Sequence, residues 1–316
     1  MIQKIFDKKF CYIVYLIPLF LVAGPAIPDL MVSLLSILFI TYSLSNKDFY
    51  FHKNKIFYAY LIFWGIIILS SLLSDLKLIS LKSSFFHIRF LIFGFFIYLL
   101  IKKNNDFFNN FFPFLLVVLS IVIFDGYFQF FFDVNTLGFE RPYANQRLSG
   151  FFNDEWILGS YLVRTLPLFL CVYILNSKKN NILISLFIFF YCLLIFLTGE
   201  RASFFLLTIF IGLILLFFNI KKIYKFSVLL LIIIIPLIVV SINENIRERM
   251  FNQVLIGFGI FEDIPPVASD GLNQKKKGRE IKCCKMPEHL FSYGHSKHYE
   301  VGIKMFLDKP LFGHGL

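Results

Sequence analysis

Nine stretches of this chain are too apolar and too long to be folded away inside one water-soluble domain. Crossing the hydrocarbon core of a bilayer takes about 20 mostly apolar residues in a helix. Runs of that kind occupy residues 10–28, 30–45, 56–74, 84–101, 107–124, 155–175, 181–198, 202–219 and 225–243. The second is short. The first contains Pro18 and ends in Gly24-Pro25 and Pro28, which predicts a kink. The 316 residues include 44 Phe, more aromatic surface than one aqueous core can hold, so lipid must be part of the solvent. The expected fold class is all-α: a polytopic membrane helix bundle with about nine transmembrane helices over residues 1–243. A loop region over residues 244–316 follows it.

Lysine placement predicts the orientation. Short loops that stay in the cytoplasm are enriched in Lys and Arg. One alternating set of loops carries thirteen: Lys4, Lys8, Lys9, Lys47, Lys53, Lys55, Lys102, Lys103, Lys178, Lys179, Lys221, Lys222 and Lys225. The other set carries five: Lys77, Lys82, Arg141, Arg147 and Arg201. The first set is expected in the cytoplasm, with the N-terminus. The other side then receives residues 125–154 and the segment from residue 244 onward. Lys275-Lys276-Lys277 lies in that long segment, where the charge rule is weak, whereas Arg247 and Arg249 sit close to the ninth span and argue mildly against the assignment.

The net charge of +11 is mostly this topological signal, and no nucleic-acid motif accompanies it. Cys11, Cys171 and Cys192 lie in apolar runs and read as small core residues, whereas Cys283 and Cys284 are adjacent and make no disulfide framework. The first apolar run lacks a clear small-residue cleavage site and is followed by further spans, so it reads as a span and not a leader. The chain stops within a loop, at Lys309-Pro310-Leu311-Phe312-Gly313-His314-Gly315-Leu316, and is expected to be a fragment lacking further spans.

Cations on the expected outer side differ in kind. They are mostly Arg, and several sit at or inside spans: Arg89 early in the fourth, Arg164 within the sixth and Arg201 opening the eighth. Those three helices would run from outside to inside, with free N–H groups and the positive dipole end facing outward. Arg beside such an end favours an anion, and its fork matches phosphate oxygens. Arg164 lies about ten residues into its run, or roughly 15 Å along the axis. A cation at that depth faces either a carboxylate such as Asp154 or Glu155, or a wet functional cavity. Arg89 could instead snorkel to headgroups, Arg201 could contact Glu200 in its turn, and Arg141 and Arg147 could be solvated loop residues.

Asp125 ends the fifth run, and Asp154-Glu155 opens the sixth. Paired carboxylates can serve as general acid and base. The plainer expectation is that Asn153 or Asp154 caps the sixth helix and Glu155 complements its dipole. Cys283, Cys284, His289, His295 and His298 match no standard zinc spacing, and no metal is expected. His295 and His298 remain candidates for proton transfer or phosphate contact.

Three stretches resemble a known family. The first is Arg147-Leu-Ser-Gly-Phe-Phe-Asn-Asp-Glu with Leu158-Gly159-Ser160-Tyr161-Leu162, Arg164 and Pro167. The second is Leu197-Thr198-Gly199-Glu200-Arg201-Ala202-Ser203 before an apolar run. The third is Tyr299 through Met305-Phe306-Leu307-Asp308-Lys309-Pro310-Leu311-Phe312-Gly313-His314-Gly315. In that order, with a long outer loop after the ninth run, they resemble the O-antigen ligase/polymerase family of the bacterial envelope. The resemblance implies metal-independent, cofactor-free, inverting glycosyl transfer on the periplasmic face of the inner membrane, within lipopolysaccharide biosynthesis. The donor it implies is a glycan on undecaprenyl diphosphate. The acceptor is lipid A-core for a ligase, or a second lipid-linked repeat unit for a polymerase. It matches Arg201, Arg147 and Arg164 to arginines of the family; taken with the charge reading above, Arg201 and Arg164 are the expected catalytic residues, and Arg147, Arg89, Arg141, Asp154, Glu155 and His298 the expected substrate-binding ones. It places the general-base histidine beyond Leu316 and does not give that role to His314.

Two other classes fit the same residues. A transporter or flippase of lipid-linked sugars would use the Arg-lined cavity without chemistry, although no inverted repeat is visible and the intramembrane Arg residues favour one side. A structural assembly protein would leave the Arg in the sixth run unexplained.

Overall fold

The computed structural model describes residues 10–46, 55–141, 147–176, 181–217, 234, 236–241, 244–247, 293–310, 313 and 314. Among them the chain is helical, with one 3-10 turn at Gly150–Phe152 and a single isolated bridge between Val134 and Glu140. In hydrocarbon every backbone N–H and C=O must be satisfied within its own segment, and a helix does that. The helices are α1 Phe10–Val22, α2 Ala26–Asn46, α3 Lys55–Leu72, α4 Lys77–Phe86, α5 Ile88–Lys103 and α6 Phe107–Phe132. After them come α7 Leu158–Leu175, α8 Asn181–Leu197, α9 Arg201–Phe217, a short α10 Glu244–Arg247 and α11 Tyr293–Asp308. Five apolar stretches, Ala26–Ser45, Lys55–Leu72, Lys77–Lys103, Phe107–Phe132 and Leu158–Leu175, are long and apolar enough to cross a membrane. The ninth run, 225–243, lies largely outside the described residues, of which 236–241 are helical.

Several boundaries differ from the expectation, each for a local reason. The second run gives a helix of 21 residues that begins at Ala26. Pro28 falls in its first turn, where a missing N–H costs nothing. Gly24, at φ +115°, makes the turn before it. The fifth run does not stop at Asp125. It continues to Phe132, because Asp125 Oδ1 accepts the Thr136 amide (2.8 Å) and hydroxyl (2.5 Å). Residues 77–83, read as loop, join 84–86 in α4, and a break at His87 separates it from α5. The sixth run turns helical only at Leu158, so Asp154 and Glu155 precede the helix.

The chain divides into two compact units, Met1–Leu61 with Phe86–Ile246, and Ile62–Phe85 with Arg247–Leu316. In the first, α6, α7, α8 and α9 pack together, α2 packs on α5, and α1 touches α2 and α6. Lipid tails are as apolar as Leu, so burial alone does not draw these helices together; close approach and interhelical hydrogen bonds do. Gly126 lets α6 meet α8, since a Cβ there would lie 2.8 Å from Leu194 Cδ2. Tyr191 Oη of α8 donates to the Leu162 carbonyl of α7 (2.8 Å) and pairs with Thr165 Oγ1 (2.7 Å). Tyr161 Oη donates to the Pro18 carbonyl (2.9 Å), and Tyr15 Oη to that of Phe107 (3.1 Å). Leu115, Leu119, Leu162, Phe169 and Leu194 fill the space between.

In the second unit, α3 from Ile62 onward and α4 up to Phe85 form a hairpin with a buried serine seam. Ser71 and Ser84 hydroxyls are in short contact, Ser80 donates to Ser74 (3.1 Å), and Trp64 Nε1 donates to the Ser84 carbonyl (2.9 Å). Asp75, in the hairpin turn, pairs with Lys309 Nζ at 2.9 Å, and that ammonium holds its carboxyl below the usual range. His314 lies 3.9 Å from Asp75 and 3.3 Å from Asp308.

Candidate functional site

One end of the first unit gathers the C-terminal turns of α6, the loop after it, the N-terminus of α7 and the Thr198–Glu200 turn that opens α9. The loop is held by amides. Gln129, fully buried on α6, accepts the backbone N–H groups of Ser149 (2.9 Å) and Gly150 (2.8 Å) through Oε1. Its Nε2 donates to Ser149 Oγ at 3.3 Å. Asn135 Nδ2 donates to the Gly150 carbonyl (2.8 Å), while its Oδ1 accepts from the amides of Leu137 and Phe139. Gly150 is in the left-handed region at φ +55°, and a Cβ there would press on Asp125 Oδ2 at 3.1 Å. These bonds fix the chain on both sides of Ser149, and so fix where Arg147 leaves it.

The N-terminus of α7 has no cap of its own. Its N-cap residue is Ile157, and no side-chain cap bond is made there. The expectation that Asn153 or Asp154 caps this helix is therefore corrected. The cap comes from 40 residues away in sequence: Glu200 Oε1 accepts the Gly159 amide and Oε2 the Ser160 amide, each at 3.0 Å. Ser203 Oγ donates to Oε2 at 2.6 Å. Gly159 is what admits the carboxylate, because a Cβ would lie 2.6 Å from Thr198 Oγ1 and 3.0 Å from Glu200 Cδ. Glu200 is 7% exposed. Burial pushes its carboxyl above the ordinary value, opposed by Ser203, the two amides and the charge of Arg147.

The charge of Arg147 bears on this carboxylate. Arg147 lays its guanidinium on the Trp156 ring, with Cζ 4.3 Å from the centroid, a cation–π contact that gains strength as water is excluded. Burial depresses Arg147, the charge of Glu200 raises it and that of Arg201 depresses it again. An Arg stays charged through shifts of this kind. Counting Arg147, Arg201 and Glu200, the cluster carries one net positive charge. Its free cationic surface suits an anion with spread charge, such as a phosphate ester.

The other sequence candidates are placed as follows. Arg141 donates through Nε (3.0 Å) and Nη2 (2.8 Å) to the Gln129 carbonyl, contacts that of Phe130, and pairs with Asp133 at 3.1 Å. It closes the C-terminus of α6, where orphan carbonyls and the dipole favour a cation. Arg89 pairs with Asp29, donates to Ser33 Oγ (3.1 Å), and its carbonyl accepts from Ser36 (2.9 Å), tying α5 to α2. Arg164 is exposed on α7, six residues past Leu158 and therefore about 9 Å along the axis. Among the described residues it has no hydrogen-bond or ion-pair partner, so the expected pairing with Asp154 or Glu155 is not made. Asp154 and Glu155 are themselves exposed before α7. His298 is exposed on α11, in the second unit. His295 lies in the same helix, and Cys283, Cys284 and His289 fall outside the described residues.

Of the expected residues, Arg147 and Arg201 both lie at the end where Glu200 caps α7, and the charge of Arg201 bears on Arg147. Glu200, Trp156, Gln129 and Ser203 were not singled out as site-forming. The sequence set Glu200 in the Leu197–Ser203 stretch between two apolar runs, where a contact with Arg201 in the turn also explains its charge. No family model, curated protein or solved structure matches the chain.

Proposed function

We propose that this protein is a periplasm-facing glycosyltransferase of the inner membrane, with nine transmembrane helices and a cytoplasmic N-terminus. It takes a glycan from undecaprenyl diphosphate and passes it to lipid A-core or to a second lipid-linked repeat unit. The observation that supports this reading is that Arg147, stacked on Trp156, and Arg201, following the Glu200 that caps α7, lie at the same end of an apolar helix bundle. A lipid-linked diphosphate needs an apolar groove for its tail and cations at the bilayer surface for its head. The acceptor hydroxyl oxygen forms a bond to the sugar C1 while the bond from C1 to the diphosphate oxygen breaks, inverting C1 and releasing a proton to a base. Negative charge grows on the departing diphosphate, and cations already in place stabilise it without reorganisation. Arg164, exposed below them on α7, would meet the carrier nearer the acyl region.

The test is reconstitution in liposomes with a purified undecaprenyl-diphosphate glycan and each acceptor in turn. A lipid-linked product of higher mass supports the reading, and the productive acceptor separates ligase from polymerase. Arg147→Ala and Arg201→Ala should each lower transfer by about a hundredfold. Donor movement between leaflets with no product would overturn it in favour of a flippase.

A further inference from the structure

We infer that α11 is an interfacial helix: it lies along the bilayer surface with Tyr299, Ile303, Phe306 and Leu307 turned into the lipid, and its C-terminal end is pinned to the turn between α3 and α4. Neither the proposed donor nor its transfer is needed for this. The four residues follow the i, i+4, i+7, i+8 spacing, which gathers side chains on one face of a helix within an arc of about 100°. Val301, Lys304 and Asp308 fall on the opposite side. Phe306 and Leu307 are 64% and 66% exposed, Tyr299 is 49% exposed and Ile303 is half-buried. Glu300 and Lys304 pair at 2.7 Å on the polar flank. An aromatic and aliphatic stripe backed by charges is the make-up of a helix that rests at the boundary of headgroups and acyl chains.

Its attachment places the helix there. Lys309 Nζ, one residue past α11, donates to Asp75 Oδ1 at 2.9 Å. Gly313, at φ +65°, turns the chain back, and its amide donates to the Lys309 carbonyl at 3.0 Å. His314 thereby lies between Asp75 and Asp308, at 3.9 and 3.3 Å. Asp75 sits in the turn between Lys55–Leu72 and Lys77–Lys103, two stretches long and apolar enough to cross a membrane. A turn between two such helices marks the bilayer surface. Leu73, Leu76, Leu78 and Ile79 around it are all at least half exposed, so lipid-facing surface reaches to within a helical turn of the ion pair. The pin therefore delivers one end of α11 to the level where lipid begins. An exposed ion pair stabilises little by itself, and a helix of 16 residues is marginal alone in water. Burial of the stripe in lipid supplies the remainder.

The experiment uses the full chain, cleared of its five native cysteines and reconstituted in vesicles of phosphatidylethanolamine and phosphatidylglycerol. Phe306→Cys, Leu307→Cys and Val301→Cys variants each carry a nitroxide. Its relaxation is read with oxygen, which concentrates in lipid, and with a neutral nickel chelate, which stays in water. All three positions are exposed, so the substitutions remove little packing. Labels at Phe306→Cys and Leu307→Cys should relax more with oxygen than with nickel, and the label at Val301→Cys should show the reverse. Asp75→Asn should increase the motion of the Leu307→Cys label, because the pin is lost. Nickel dominating at Phe306→Cys and Leu307→Cys overturns the inference, as does a ratio that is the same at Phe306→Cys and Val301→Cys. A Phe306→Cys label that neither agent reaches overturns it in favour of a protein cover, a second copy or another part of this chain. Unchanged motion of the Leu307→Cys label in Asp75→Asn overturns the pin.

Discussion

Gly159 and Glu200 depend on each other. The glycine leaves the space that the carboxylate fills, and the carboxylate satisfies amides that would otherwise end α7 unpaired. Gly159→Ala should therefore destabilise by about 1–3 kcal/mol, from a methyl forced against Thr198 and Glu200. Gly65→Ala, where a Cβ meets nothing within 4 Å, should be neutral or slightly stabilising. Thermal melts in detergent compare the two, and equal midpoints would contradict the packing described for α7. The carboxyl also predicts a pH response. Its folded value is raised, so the folded state binds the proton more tightly than the unfolded one. Its contribution to stability is least favourable at neutral pH. It improves as pH falls through the raised folded value and levels off below the ordinary carboxyl value. Relative to Glu200→Gln, wild-type melting should rise over that window; a constant difference would mean the carboxyl titrates normally.

Elements are held by polar contacts set among apolar residues. In the α3–α4 hairpin, Ser71 and Ser84 are both fully buried, and their small side chains let the helices approach. Ser84→Leu should force them apart at a cost of about 1–3 kcal/mol. Trp64, whose Nε1 donates to the Ser84 carbonyl, should report this as a red shift in emission when Trp156 is replaced by Phe. An unshifted spectrum would mean that the hairpin absorbs the added volume. Most helices were legible from hydropathy, because a long apolar run in lipid has few alternatives to a helix. The errors fell where polarity was satisfied by tertiary contacts. Asp125 reads as an end, yet Thr136 lets α6 run on to Phe132. Lys77 and Lys82 made residues 77–83 look like loop, though they form the start of α4.

For the whole molecule, the proposed topology places both the loop holding Arg147 and the Thr198–Glu200 turn outside the cell membrane, and Lys179 and Lys221 inside. Single cysteines introduced at Asp154 and at Lys179, in a protein cleared of its five native cysteines, test this. A membrane-impermeant thiol reagent applied from outside should label the first and spare the second. The reverse pattern would invert the orientation and with it the proposed periplasmic chemistry. Both positions labelling from the same side would instead break the alternation on which the span count depends.

Sequence by itself determined the class of solvent, the rough positions of the helices and the candidate cations, because hydropathy and charge are properties of residues in order. It also marked Arg147 and Arg201, though it set Arg164 beside Arg201 as catalytic and ranked Arg147 with Arg89 and Arg141. Only the tertiary structure separated them. Arg89 is engaged by Asp29, and Arg141 by the carbonyls of α6. Arg147 and Arg201 lie at the end of the bundle where a glutamate caps a helix not its own. A cap supplied from a distant turn has no periodicity and no fixed spacing. It exists only once α7 and α9 are packed, so the physical cause of the site lies in that packing.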